Sequence, residues 1–207
     1  MNASKVAIAC FTLLAAEPVD AQLFHVSLRG GAGVPIGPFA ERVSSSSEEA
    51  LVARAKTGFG YGAEAGLGLG IFGLYAGFDQ IEFGCETTAC ASEGKFELAG
   101  ASGGVRIALP FYSAVHPWIK GGVTFNKLRG EYRQSGVENL TTDRAPGFEL
   151  GAGIDIPIFG IISLAPQVRY VGQDLKYKVP GVTSPTTTEK GVEYYTFDLG
   201  LSLRSFF

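Results

Sequence analysis

Charge is scarce in this chain. Only 18% of its 207 residues are Asp, Glu, Lys or Arg, against roughly 25% in an average domain. The formal net charge of -3 is too small for a nucleic-acid-binding surface or an acidic tail. Histidine is nearly missing, at two, and His25 and His116 have no Ser, Cys or carboxylate partner by motif, so no catalytic constellation is legible. Cysteine is limited to three, too few, with no histidine nearby, for a zinc site. The 10 prolines form no block, so disorder is not the default. No apolar run after residue 21 approaches the ~18 residues of a membrane helix. What is plentiful is glycine, at 29, and aromatic residues, at 12%.

The first residues read as an export signal rather than as fold. Lys5 precedes a short apolar run from Val6 to Ala16, and Val19-Asp20-Ala21 is a small-x-small cleavage site. Residues 1–21 are therefore expected to be removed, leaving 22–207 as a single domain. Loss of Lys5, Glu17 and Asp20 takes away a net -1 and leaves about -2. Cys10 leaves with the peptide. Cys85 and Cys90, in GCETTACASEG, then meet an oxidising compartment and read as a disulfide clipping a loop, with two free thiols as the other reading.

Glycine and the aromatics alternate. In Tyr195 to Leu203 every second residue is Tyr195, Phe197, Leu199, Leu201 and Leu203, and those between are Thr196, Asp198, Gly200 and Ser202. In GFGYGAEAGLGLG the rows are Phe59, Tyr61, Ala63, Ala65, Leu67 and Leu69 against glycines and Glu64. The same two-faced pattern recurs around Phe24–Leu28, Phe72–Phe78, Ile119–Phe125, Phe148–Ile156 and Ile162–Tyr170. Period-two alternation is the signature of a strand with unlike faces. One segment, KFELAGASGGVRIAL, changes phase: Phe96 and Leu98 are even-numbered, Val105, Ile107 and Leu109 odd. A glycine-rich bulge within Gly100–Gly104 would flip later side chains in this way.

Eight such segments are predicted, each near the ~9–11 residues that cross a membrane. Their connections alternate long and short. The long ones cover 35-56, with a short helix expected from Ser46 or Ser47, then 82-95, 129-143 and 179-190. The short ones lie near Leu69–Ile71, Pro110–His116 and Asp155–Gly160. The fold class this implies is all-β, an eight-stranded antiparallel up-and-down transmembrane β-barrel with both termini on the short-turn side.

Charge placement separates the alternatives. The row opposite the oily one collects Arg29, Arg106, Lys120, Arg169 and Arg204, with Glu64, Asp79, Glu149, Asp155 and Asp198, five of each sign. Eight strands leave room only for side chains inside, and charges buried there must pair because an uncompensated ion costs several kcal/mol. These ten are the candidate lumen ion-pair residues. A soluble lipocalin-like barrel is the rival, with its oily row inside and its charged row in water.

On these residues the chain resembles the small bacterial outer-membrane barrels of the OmpA/OmpX type, also described as porin-like or opacity-protein-like. The eight alternating segments, GLYAGFD (Gly73 to Asp79), HPWIKGGVTF (His116 to Phe125) and the terminal Phe207 carry the likeness. It implies an outer-membrane location among outer-membrane lipids. It also implies that Phe207 is a signal for the barrel-assembly machinery, although Ser205 stands where the family usually has a large apolar residue. The residues themselves offer no catalytic, cofactor or metal site and no nucleic-acid surface, so no enzyme, cofactor, metal or nucleic-acid partner is expected. The function expected is a plugged polar lumen with surface contacts through the four long loops. A small solute pore or transporter is the alternative. GxGxxG-like spacings lie inside alternating strands with no following helix, so they lack the context for dinucleotide binding.

Overall fold

The computed structural model describes residues 22–41, 54–85, 94–109, 114–131, 140–178 and 187–206. The expected signal segment, the helix from Ser46 or Ser47, Cys90 and Phe207 lie outside them. Eight long strands follow one another: β1 (Gln22–Ile36), β2 (Ala55–Leu69), β3 (Phe72–Cys85), β4 (Lys95–Ala108), β5 (His116–Glu131), β7 (Ala145–Phe159), β8 (Ile162–Lys178) and β9 (Thr187–Phe206). The two-residue β6 (Leu140–Thr141) pairs with the far end of β5. Every pairing is antiparallel between chain neighbours, and β1 pairs with β9 to close the barrel. The short connections at Gly70–Ile71 and Gly160–Ile161 are two-residue turns. Gly70 and Gly160 take positive φ there (68° and 52°), the conformation such turns demand and glycine adopts at no steric cost.

The alternation places the oily row outside. Phe24, Val26, Leu28, Phe59, Tyr61, Leu67, Phe72, Leu74, Phe78, Ile119, Val123, Phe148, Leu150, Phe197, Leu199 and Leu201 are all exposed. A soluble lipocalin-like barrel would bury this row, so that alternative falls. A wall of exposed apolar side chains around a closed sheet is the surface of a barrel that meets hydrocarbon.

Two expectations are corrected. The strands are longer than the membrane requires, from 14 to 20 residues. They take up parts of the segments read as loops 35-56, 82-95, 129-143 and 179-190. And β4 has no bulge: it pairs residue for residue with β3 from Phe72↔Ile107 to Gly84↔Lys95, and with β5 from Lys95↔Glu131 to Ala108↔Trp118. The change of phase is chemical. Phe96 and Leu98 are buried inside the barrel, whereas Val105 is exposed on its outer wall. The register shifts that do occur include one at Lys56/Gly58 in β2, one at Gln22/Phe24 and one at Pro157/Phe159.

The core is one cluster at the long-loop end. Phe39, Ile81, Phe83, Phe96, Leu98, Leu128, Val171, Leu175, Val192 and Tyr194 pack together there, with Cys85 against them. Phe39 comes from a single turn of 3-10 helix (Gly37–Phe39) that follows β1 and folds back into the mouth. Its ring meets Phe83 edge-on at 5.2 Å and Phe96 at 5.8 Å, and Phe83 meets Tyr194 at 5.3 Å. At this end the inward rows are largely apolar, and the polar part of the lumen lies below them.

Candidate functional site: a closed ring of ion pairs in the lumen

Below the apolar cap the inward rows turn polar, and charge is gathered there from seven strands. Glu64 of β2 takes Arg29 Nη1 of β1 at 3.0 Å and Lys120 Nζ of β5 at 2.5 Å. Arg29 also donates to Asp79 of β3 at 2.7 Å. Asp79 in turn takes Arg169 Nη1 of β8 at 3.0 Å. Arg169 reaches Glu149 of β7 at 3.4 Å, and Glu149 lies 3.9 Å from Lys120. The six residues thus close a ring of alternating sign: Glu64, Arg29, Asp79, Arg169, Glu149, Lys120. Asp198 of β9 joins at Arg169 Nε, 3.0 Å away, and also accepts from Thr196 Oγ1 at 2.8 Å. His25 Nε2 lies 3.2 Å from Glu64.

Neutral partners complete the ring. The Tyr75 hydroxyl donates to Glu149 at 2.6 Å, and the Tyr75 ring lies under Lys120 Nζ at 4.7 Å. Every ring residue is buried except Asp79, whose side chain keeps 18% exposure. In such surroundings a bare charge would cost several kcal/mol, and alternation of sign lets each ion meet two of the opposite kind. Glycines make the space. A Cβ at Gly62 would strike the Asp79 carboxylate, and one at Gly66 would strike the His25 ring. The alternation of glycine with charge on the inward rows is therefore a packing requirement of a narrow lumen.

A second pair lies nearer the short turns. Arg106 of β4 donates to Asp155 of β7, and its guanidinium stacks 4.2 Å over the Trp118 ring. Between ring and cap, Asn126 donates to Gln173 at 2.9 Å. The lumen is thus layered from outside inward: apolar cap, amide bridge, ionic ring, Arg106–Asp155 pair.

Of the ten charges singled out from the sequence, seven fall in or on the ring: Arg29, Glu64, Asp79, Lys120, Glu149, Arg169 and Asp198. Arg106 and Asp155 form the separate pair, and the side chain of Arg204 lies outside the described residues. Sequence reasoning assigned no role to Tyr75, Thr196, Asn126 or Gln173. The available signal was their position on the inward row, since a polar side chain flanked by glycines, as Tyr75 is by Gly73 and Gly77, has to find a partner inside. Among the described residues no group of His, Cys, Asp and Glu has the makings of a metal site, and no helix is long and apolar enough to cross a membrane. Cys85 closes β3 at the mouth; its expected partner is not among the described residues.

The family model described as outer membrane protein beta-barrel domain matches residues 6–204. The chain belongs to this family. No curated protein matches it. Among solved structures it is similar to Neisserial surface protein A, with 14% identity and a TM-score of 0.59 over 88% of this chain and 97% of that one. It is also similar to OprG from Pseudomonas aeruginosa, with 12% identity and a TM-score of 0.56 over 89% and 98%. A third neighbour is AlkL in lipid bilayers, with 11% identity and a TM-score of 0.55 over 93% and 94%. At such identities the likeness shows the fold alone. Family and fold together place this barrel in the bacterial outer membrane, surrounded by lipid.

Proposed function

We propose that this outer-membrane barrel is non-conducting and non-catalytic, and that it serves the cell envelope through contacts made by its outward strand ends and long loops. The observation that carries the reading is the stacking of two seals in one narrow lumen. Phe39, Phe83, Leu128, Leu175 and Val192 leave no solvent-accessible surface or almost none at the mouth. Beneath them the six-membered ionic ring occupies the cross-section. Water has to be excluded from the first layer for its apolar contacts to form, and ions crossing the second would have to break paired, buried charges. The likeness to Neisserial surface protein A is compatible with a role at the cell surface.

The same reading takes residues 1–21 as a removed export signal, the long connections as the outside face, Cys85 and Cys90 as a clip on the second long loop, and Phe207 as part of the address read by the barrel-assembly machinery. Planar-bilayer recording of the purified chain tests it. No stepwise conductance should be seen above the bare bilayer. Reproducible unitary openings of the native protein would overturn the reading and favour the pore or transporter.

A further inference from the structure

The outer wall changes character along β5. Its outward row runs Ile119, Val123 and Phe125, all exposed apolar residues, and then becomes Lys127 and Arg129. The neighbouring segment does the same: Phe148 of β7 is exposed apolar wall, and Arg144, four residues further out, is exposed immediately before β7, one residue beyond the Asn126↔Ala145 pair. The level at which this happens is marked by an aromatic ladder. Phe148 meets Tyr170 at 5.6 Å and Tyr170 meets Tyr195 at 5.4 Å across β7, β8 and β9. Outward-facing tyrosines of this kind sit where hydrocarbon gives way to headgroups. Lys127, Arg129 and Arg144 therefore stand just beyond the hydrocarbon, on the side of the barrel rather than at the tips of its loops.

The backbone holds them together. Arg129 pairs with Thr141 and Asn126 with Ala145, so one extra residue of the β7 side is accommodated opposite Lys127, as in a bulge. Thr142 locks the register on either side of Leu128: its hydroxyl accepts from the Leu128 N–H at 3.0 Å, and its own N–H donates to the Leu128 carbonyl at 3.0 Å. Two other rim cations are matched. Lys95 has Glu82 at 3.4 Å and Lys176 has Glu189 at 3.8 Å. Lys127, Arg129 and Arg144 have no ion-pair partner among the described residues. Among the described side chains the nearby carboxylates are Asp143, which is exposed, and Glu97, which stands across from Arg129 and accepts from the Gln80 amide at 3.0 Å.

We propose that Lys127, Arg129 and Arg144 form a ledge that binds the phosphate groups of a phosphorylated glycolipid in the membrane leaflet around the long-loop end. Two arginines and a lysine at headgroup height offer forked and point-like donors to phosphate oxygens. The apolar wall directly beneath, at Phe125 and Phe148, takes the acyl chains. The position selects the source: a soluble polyanion would meet the loop tips first, whereas a lipid phosphate is brought to this height by its own chains. The inference rests on the outer-membrane reading but not on which end faces outward, because a nanodisc presents the same lipid in both leaflets.

The full chain is refolded into nanodiscs of zwitterionic phospholipid doped with a diphosphoryl disaccharide glycolipid. Retention per barrel is then read by native mass spectrometry. The Lys127→Gln/Arg129→Gln/Arg144→Gln variant should lose glycolipid by about tenfold or more. The Lys95→Gln/Lys176→Gln variant, which removes only paired cations, should retain it, and raised salt should weaken retention by the native protein. Heat-modifiable gel mobility shows that each variant is folded; should the triple variant not fold, the three single substitutions are compared, each with a loss of about two- to threefold. Equal retention by native and triple variant overturns the ledge, as does equal retention of the dephosphorylated glycolipid. If dextran sulfate binds at these residues while the glycolipid does not, the lipid source is wrong.

Discussion

Arg169 is the residue on which the ionic ring can be broken most informatively. It holds three carboxylates, Asp79 at 3.0 Å, Glu149 at 3.4 Å and Asp198 at 3.0 Å. In Arg169→Met the three lose it together, but unequally. Asp79 keeps Arg29, and Glu149 keeps the Tyr75 hydroxyl and Lys120. Asp198 keeps only the Thr196 hydroxyl, so it becomes the uncompensated buried charge. Removing one partner of a buried pair costs about 3–5 kcal/mol, and this variant should fall in that range.

Asp198→Asn alone should cost less, about 1.5–3 kcal/mol for a charged hydrogen bond, because Arg169 still has two anions. The double variant should then be more stable than the sum of the two predicts, with a coupling of about 1–3 kcal/mol. The assay is reversible urea unfolding in lipid vesicles, followed by the emission of Trp118, the chain's single tryptophan, which is buried under Arg106. Arg169→Lys serves as a control: it restores the charge but not the fork, and should recover only part of the loss. If Arg169→Met costs under about 1 kcal/mol, or if the two substitutions add to within about 0.5 kcal/mol, the ring is not the energetic unit that its geometry implies.

Leu201 is 56% exposed on the outer wall and Ser202 beside it 1%. Leu201→Arg should therefore cost about 2–4 kcal/mol and Ser202→Ala far less in the same unfolding assay, and a spin label at Leu201 should be reached by lipid-dissolved oxygen and shielded from a water-soluble relaxant. Phe39→Ala should lower the unfolding free energy by about 3–5 kcal/mol, as for other buried phenylalanines, with the barrel still closed in heat-modifiable gels; an unchanged urea midpoint would remove Phe39 from the core. The Cys85→Ser/Cys90→Ser variant should still assemble, losing about 2–3 kcal/mol at most, and failure to assemble would give the cysteines another role.

How much of this was legible in the sequence depends on which residues are followed. The barrel was, because alternation in β9 and β2 runs through the whole membrane-crossing part of each strand, and because seven charges of the ring fall on the row opposite the oily one. The identity of each partner was not. Arg29 meets Glu64 and Asp79 from 35 and 50 residues away, and Arg169 meets Asp79 from 90. Alternation fixes which face a residue takes but not its height in the barrel, which follows from register and tilt. The cap was missed for a different reason. Phe96 and Leu98 look like oily-row residues thrown out of phase only on the assumption that apolar side chains always point to lipid.

That assumption fails at the height where the lipid ends. On β3 the apolar side changes from outside at Phe78 to inside at Ile81; on β5 it changes from Phe125 to Leu128; on β4 from Val105 outside to Leu98 inside. The pleat does not slip at any of these places, since the ladders of β3 with β4 and of β4 with β5 run unbroken through them. What changes is the solvent. Beyond the hydrocarbon the same outward row faces water and carries Glu82, Lys95 and Arg129, while the inward row becomes free to be apolar and builds the cap. The strands are thus an inside-out barrel for part of their length and an ordinary soluble barrel for the rest. The changeover can be used as a ruler. On β9 the outward apolar row spans Tyr195 to Leu203, eight steps of ~3.3 Å, or roughly 20 Å across the membrane at the usual tilt of ~40°. That is close to the ~25 Å apolar band of outer-membrane barrels, so the residue at which apolar side chains change sides marks the edge of the membrane.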